Sequence, residues 1–153
     1  MGVATLTAVL AVVIAITLSS IRGLAMRENE SHVKSLLEAL GSSLTSEVHA
    51  APPTNLRSLA EGDENLTRIL LDTRWSGELL FRHGYFVELV AEDEATLVAW
   101  PSQYGRTGNR AFLWSPTTGL TIRANATDSW SGMEHQPDVT KLPGLKVRPR
   151  TRG

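Results

Sequence analysis

The sequence predicts an α+β protein in which one long N-terminal helix packs, through its second half, on a small four-stranded antiparallel sheet. Three observations lead to this fold class. Residues 1–21 carry no ionisable side chain, and a helical stripe of apolar residues continues beyond Arg22. After Gly84 the apolar residues recur with period two, which is typical of strands. We therefore expect three parts: the membrane-embedded first half of a stem helix over residues 1–24, a globular head that includes the second half of the stem over 25–124, and an irregular basic tail over 125–153.

The apolar N-terminal segment is best explained as a helix that spans a membrane. A helix of this length reaches about 30 Å, which matches the hydrocarbon core of a bilayer. A cleaved secretory signal is a weaker explanation, because no Lys or Arg precedes Arg22 and the apolar run is longer than a typical signal core. A buried core helix is also disfavoured, since a chain of 153 residues is too small to surround it. The positive-inside rule would place Arg22 and Arg27 in the cytoplasm, which leaves the orientation of the head open.

The second half of the predicted helix is amphipathic. Its apolar residues recur at helical spacing, which predicts a face that packs on the domain's own sheet. These residues are Val33, Leu36, Leu37, Leu40, Leu44 and Val48. We expect Leu36, Leu40 and Leu44 to lie under the sheet. The helix should run over residues 3–50 and end at Pro52-Pro53, because proline donates no backbone hydrogen bond.

Two short helices and four strands are predicted for the head. The helices cover apolar repeats within residues 54–72, are separated by Gly62, and begin with Thr54 as the first N-cap. In the last strand the even-numbered residues should face inward, while Arg123 should face water. The predicted strands are residues 85–91, 95–100, 110–114 and 120–124.

Composition and spacing exclude several kinds of site. The chain has no cysteine, so a disulfide framework and thiolate metal ligands are excluded. A net charge of −1 gives no whole-chain electrostatic argument for nucleic acid. The four histidines lack metal-site spacing, and the acidic triplet at residues 92–94 is interpreted as a solvated turn rather than a calcium site. We find no catalytic motif, and we expect no enzymatic activity, no cofactor and no metal.

The C-terminal segment is basic and contains prolines. Such a segment could bind nucleic acid, anionic lipid or an acidic partner. We favour a solubilising end, so nucleic acid is a possible partner but not a favoured one. The basic residues of this segment are Lys141, Lys146, Arg148, Arg150 and Arg152.

Short motifs occur in a recognisable order along the chain. They are Gly-Val-Ala-Thr-Leu-Thr at residues 2–7 before an aliphatic run, and head motifs at residues 84–85, 99–101, 105–112 and 119–123. This order, with a half-apolar helix followed by a small antiparallel sheet, resembles the type IV pilins and the pseudopilins of type II secretion. The resemblance covers residues 2–123. It implies cleavage between Gly2 and Val3, often with methylation of the new N-terminal amine.

The resemblance implies a structural subunit of a filament. The stem would hold the subunit in the bacterial inner membrane with an extracytoplasmic head, and membrane lipid would be its partner before assembly. Inner-membrane assembly machinery would then transfer it into a cell-surface or periplasmic filament of identical or related pilin-like subunits. The stem residues expected to pack in that filament are Leu6, Leu10, Ile14 and Leu18.

Two features depart from that family. Thr7 stands where its members usually carry a glutamate that pairs with the N-terminal amine of a neighbouring subunit. Only Met1 and Gly2 precede the expected cleavage point. We therefore expect an atypical minor or tip subunit, a chain that starts further upstream, or an anchor that is never processed. The alternative function is a single-pass, membrane-tethered extracytoplasmic binding domain that does not polymerise.

Overall fold

The computed structural model of this chain describes residues 2–46, 53–91, 94–127 and 129–138. These residues form a long helix, two short helices and one antiparallel sheet, so the α+β class and the long N-terminal helix are confirmed. The elements are α1 (Gly2–Thr45), α2 (Leu56–Glu61), α3 (Glu64–Ile69), β1 (Arg74–Ser76), β2 (Leu79–Arg82), β3 (Tyr85–Ala91), β4 (Ala95–Pro101), β5 (Arg110–Ser115) and β6 (Gly119–Ala124).

Helix α1 is one uninterrupted helix of 44 residues, about 66 Å long at 1.5 Å per residue. Ser46 is no longer helical, so the helix ends earlier than the predicted residue 50. Residues 47–50 and Pro52, on which the rest of that prediction depends, lie outside the described residues.

The two halves of α1 have different surroundings. Every side chain from residue 7 to residue 22 is exposed. In the second half, Leu36 and Leu40 are buried in the core of the head, and Leu44 is half-buried at its edge. Val33 and Leu37 lie in the same core. One continuous helix therefore packs into the core of the head with its second half and exposes an apolar surface along its first half.

Helices α2 and α3 lie where the sequence predicts, but the N-cap of α2 is Asn55 rather than Thr54. Asn55 Oδ1 accepts a hydrogen bond from the backbone N–H of Ser58 at 2.8 Å, and Ser58 Oγ accepts one from the Asn55 N–H at 3.3 Å. This reciprocal capping box satisfies two donors at once. Asp63 caps α3 and accepts a hydrogen bond from Ser43 Oγ at 2.8 Å, which ties α3 to α1.

The six strands form one antiparallel sheet in which neighbours follow each other in chain order. The four predicted strands correspond to β3, β4, β5 and β6. Strands β1 and β2 extend the sheet at the β3 side, so the predicted number of four is too low. The edge strands of the sheet are therefore β1 and β6.

Two-residue turns produce the additional hairpins. Gly77 has φ +63° at the first position of the β1–β2 turn, as a type II′ turn requires. His83 and Gly84 have φ +46° and +73°, as a type I′ turn requires between β2 and β3. Leu79 and Leu80 are both buried, on opposite faces of the sheet. Strand β2 therefore lacks the apolar–polar alternation by which half-buried strands are recognised.

Both faces of the sheet are covered. One face packs on the helices, and the other packs on the described part of the C-terminal segment. Trp130 from that segment is 8% exposed, and the Nε1–H of Trp100 donates a hydrogen bond to the Gly132 carbonyl at 2.8 Å. The buried Asn125 side chain donates to the Trp130 carbonyl and accepts from the Trp130 N–H, both at 2.8 Å. This part of the predicted tail has irregular backbone but is packed on the sheet.

Strand β6 is less covered than predicted. Leu120 is half-buried, whereas Ile122 is 48% exposed and Ala124 is exposed. The predicted inward face agrees with the register, since Leu120 and Ile122 pair with Trp114 and Phe112 of the core on the helix side. An edge strand has a covering neighbour on one side only, so Ile122 and Ala124 stay exposed on that face. The Arg123 guanidinium lies 4.9 Å from the Trp130 ring centroid, so it stacks on an aromatic ring instead of simply facing water.

Candidate functional site

The first half of α1 presents a continuous apolar surface. Leu10, Ile14 and Leu18, the residues expected to pack in a filament, are 58%, 50% and 60% exposed. The side chain of Leu6 lies outside the description. This helix is long and apolar enough to cross a bilayer, and no part of its most apolar stretch is buried against the rest of the molecule. An exposed apolar surface of this extent marks a contact with lipid or protein.

Two polar side chains of this half, those of Thr17 and Ser20, donate hydrogen bonds within the helix. Thr17 Oγ1 donates to the Val13 carbonyl at 2.8 Å, and Ser20 Oγ donates to the Ile16 carbonyl at 3.0 Å. Such bonds to the preceding helical turn satisfy these two hydroxyls without water. The stem is therefore compatible with a hydrocarbon environment, where an unsatisfied polar group would cost several kcal/mol.

A row of small residues runs along the same half. Ala11, Ala15, Ser19 and Gly23 follow one another at four-residue spacing, which places them on one side of the helix. Val33, in the core of the head, lies about five helical turns beyond Ala15. The small row is therefore on the side of α1 that carries the head. Small residues let neighbouring helices approach closely in lipid.

Strand β5 runs along the stem in the same direction as α1. Arg110, at its start, lies beside Glu30, with Nε and Oε2 3.8 Å apart. Trp114, further along β5, covers Gly41. The end of the sheet at which β5 begins, and at which β4 and β6 finish, therefore faces the apolar half of the stem.

Polar contacts join the stem to residues 102–109 at that end of the sheet. Asn29 Nδ2 donates to the Thr107 carbonyl at 3.0 Å, and the Asn109 backbone N–H donates to Glu30 Oε1 at 3.1 Å. The side chain of Glu30 is 12% exposed and that of Arg110 is 53% exposed. The Glu30 carboxylate thus bridges the loop and β5. This junction holds the loop and β5 against α1.

A histidine pair forms a second contact at the junction. The rings of His32 in α1 and His83 in the β2–β3 turn are stacked, with centroids 4.3 Å apart. Glu28 Oε1 lies 3.7 Å from His32 Nε2. Burial lowers the pKa of His83, and the neighbouring charges of His32 and Arg82 lower it further. The stack therefore favours the uncharged form of His83.

The open grooves on the described part of the head include two of similar size. One of about 430 Å³ lies between α2, α3 and β1, where the Arg57 guanidinium sits 5.3 Å from the Trp75 ring centroid. The other, of about 470 Å³, has Phe81, Phe86 and Met133 among its lining on the outer face of the sheet. Neither groove is lined by histidine. Within the described residues, no three His, Asp or Glu side chains are grouped so that they could hold a metal ion.

The remaining candidate residues make no contact named at this junction or lie outside the described residues. Gly2 and Val3, the expected processing site, begin α1. Glu94 Oε1 accepts a hydrogen bond from the Thr117 N–H at 2.8 Å, and hydrogen bonds from Thr117 hold the pKa of this carboxyl below its ordinary value. The basic tail from residue 139 onward lies outside the described residues. The buried tryptophans, which pack instead of forming an exposed platform, are Trp100, Trp114 and Trp130.

Sequence reasoning did not find the contacts of Asn29 and Glu30. The only signal is a pair of adjacent polar residues within an amphipathic helix, and such pairs usually face solvent. Their partners are 78 and 79 residues away along the chain. A pattern in one short window cannot identify such partners, because they are brought together by the sheet.

Comparisons with protein families, with curated proteins and with solved structures found no match for this chain. Its function is therefore argued from the geometry of the stem and the junction. That geometry combines an apolar surface long enough to cross a bilayer with the polar contacts of Asn29 and Glu30, which hold the head next to the end of that surface.

Proposed function

We propose that this chain is a structural subunit of a type IV pilus or pseudopilus-like filament. It is stored in the bacterial inner membrane with its head outside the cytoplasm. The observation that supports this proposal is the form of α1, whose first half exposes apolar side chains and whose second half is the spine of the head. A bundle of such stems at a filament axis covers the apolar halves and leaves the heads on the outside.

The exposed apolar half of the stem must be buried in lipid or against other protein. Burying one Val, Leu or Ile side chain contributes about 1.5–3 kcal/mol. Nine such side chains are exposed among those that the structure describes on α1, so leaving them in water would cost about as much as the whole stability of a domain. A bilayer and a helix bundle are about equally apolar, so neighbouring stems can replace lipid contacts. Inner-membrane assembly machinery supplies the work of extraction in this proposal.

The alternative is a membrane-tethered binding domain that does not polymerise. Thr7 favours this alternative, because it offers no carboxylate to pair with the amine of a neighbouring subunit. The outer-face groove of about 470 Å³ is large enough for a small ligand. The two functions differ in what happens to the N-terminus and to the stem.

The N-terminus of the purified protein tests the proposal. Filament assembly predicts a mature chain that begins at Val3 with a methylated amine, whereas a tether keeps Met1. The variant Gly2→Leu should block cleavage and abolish the filament fraction. Gly23→Ala, a change at another glycine of the same helix, should leave both the cleavage and the filament fraction unchanged. Intact Met1 in wild-type protein that never sediments as filaments would contradict the proposal.

A further inference from the structure

The loop formed by residues 102–109 is held closed by its own hydrogen bonds. The Gly105 N–H donates to the Gly108 carbonyl at 3.0 Å, and the Thr107 N–H donates to the Gln103 carbonyl at 2.9 Å. Thr107 Oγ1 also accepts a hydrogen bond from the Gln103 N–H at 3.1 Å. These bonds fix the backbone of the loop, so residues 104–106 form a defined tip.

The tip lies near the level at which the stem would leave the hydrocarbon. Leu24, 64% exposed, is the last exposed large apolar residue of α1. Asn29, which holds the loop, is five residues further, about 7.5 Å along the helix axis. The headgroup layer of a bilayer is about 5–7 Å deep on each side. Because the loop joins β4 and β5 at the end of the sheet nearest the apolar half, its tip points toward that layer.

The side chains of the tip suit a lipid headgroup layer. Tyr104 is 37% exposed and Arg106 is exposed. Neither side chain makes a hydrogen bond or ion pair with any described residue. Tyrosine is enriched where apolar and aqueous regions of a membrane meet, and arginine is attracted to anionic lipid. Arg22 and Arg27 are exposed on the neighbouring turns of the stem and add positive charge at the same depth.

We propose that residues 104–106 form a second membrane contact, in which the Tyr104 ring lies among lipid headgroups and Arg106 binds anionic phosphate. This contact holds the head on the bilayer before assembly and restricts the tilt of the stem. It rests on the membrane-inserted stem of the proposed function, and it adds a lipid-binding surface to the head.

A single fluorescent label next to the tip tests this contact. The chain has no cysteine, so Gln103→Cys provides one labelling site beside Tyr104 and Arg106. The full chain is placed at one copy per lipid nanodisc, and the label is quenched either by nitroxide on the lipid headgroups or by a water-soluble quencher. Leu18→Cys reports insertion of the stem. Glu38→Cys reports water, since it lies about 21 Å beyond Leu24 along the helix.

The proposal expects the Gln103 label to be quenched by headgroup nitroxide and protected from the aqueous quencher, unlike the Glu38 label. Adding Arg106→Gln should lower the ratio of bound to free tip about fivefold on anionic discs and have little effect on neutral ones. Adding Tyr104→Ser should lower the ratio of bound to free tip on both anionic and neutral discs. Circular dichroism of each variant shows that the head remains folded.

Three results would overturn the inference. A Gln103 label as open to water as the Glu38 label, with the Leu18 label in lipid, removes the second contact and leaves the stem in the membrane. Quenching that survives both tip substitutions shows that these side chains do not hold the contact. A Gln103 label shielded from both quenchers at one copy per disc assigns the tip to a contact within the protein instead of to lipid. Water at the Leu18 label would contradict the proposed function itself.

Discussion

At the scale of single residues, Gly41 sets how closely the stem approaches the sheet. A Cβ atom added there would overlap the indole ring of Trp114, which is 9% exposed. Glycine inside a helix normally costs about 1 kcal/mol relative to alanine. At this position the cost is offset, because the missing Cβ leaves room for a large buried ring.

We expect Gly41→Ala to destabilise the head by up to about 2 kcal/mol, because overpacking costs about 1–3 kcal/mol and the gain in helix propensity offsets only about 1 kcal/mol of it. Gly23→Ala is the matched control, since no atom lies within 4 Å of its added Cβ. The control should be neutral or stabilising. Urea unfolding of the full chain in detergent micelles, followed by tryptophan fluorescence, measures both. A raised midpoint for Gly41→Ala would refute the role assigned to this contact.

At the scale of elements, the β2–β3 turn is coupled to the stem through His83. Its positive φ suits asparagine or glycine better than histidine, yet the histidine ring stacks on His32 of α1. Burial is the main cause that lowers the pKa of His83, and the charges of His32 and Arg82 act in the same direction. The carboxylates of Glu28 and Asp72 act against it. The charged form is therefore disfavoured in the folded protein.

The stability of the head should consequently depend on the charge of His83. Its folded pKa lies below the ordinary value of 6.5, so the unfolded chain binds more protons between those two pKa values. The contribution is fully present above about pH 6.5 and is lost as the pH falls through the folded pKa. Stability should therefore decrease on acidification.

We expect His83→Asn to weaken this dependence, because asparagine does not titrate and Asn-Gly suits a type I′ turn. Urea midpoints measured in micelles at about pH 7.5 and pH 5 should fall less for the variant than for the wild type. His135→Asn removes an exposed histidine from a turn elsewhere and should leave the dependence unchanged. Equal decreases for His83→Asn and wild type would show that the stack does not control the response.

At the scale of the whole molecule, α1 connects two environments. Its first half is covered by nothing in the described molecule, and its second half is buried by a sheet that is itself covered on both faces. The head is therefore complete without the stem's apolar half. Substitutions in that half should affect membrane residence and assembly more than the folding of the head.

We expect Leu10→Arg to reduce filament abundance about tenfold or more. An arginine at the centre of a membrane helix costs about 2.5–3.5 kcal/mol, which exceeds the 1.4 kcal/mol that corresponds to a factor of ten. Immunoblots of the membrane and sheared-filament fractions measure the effect. Leu71→Arg is the control, because Leu71 is 75% exposed on the head and lies outside the stem. Filaments at normal abundance with Leu10→Arg would exclude stem packing as the basis of assembly.

The parts that could be predicted from sequence are those set by local pattern. The uncharged opening, the stripe through Leu36 and Leu40, and the period-two runs of β3 to β6 each appear in a window of a few residues. In such windows the polarity of each residue indicates directly whether its face is exposed to solvent. The helix–sheet class and the exposed stem follow from these patterns.

Tertiary structure decided the features that depend on distant partners. Strand β2 is buried on both faces, so its Leu79-Leu80-Phe81 run shows no alternation, and the sheet has six strands instead of four. The Glu30 carboxylate finds the Asn109 N–H only after β4 and β5 bring it to the stem. The polarity of a side chain indicates that it needs a hydrogen-bond partner. Only the folded backbone determines which partner lies within hydrogen-bond distance.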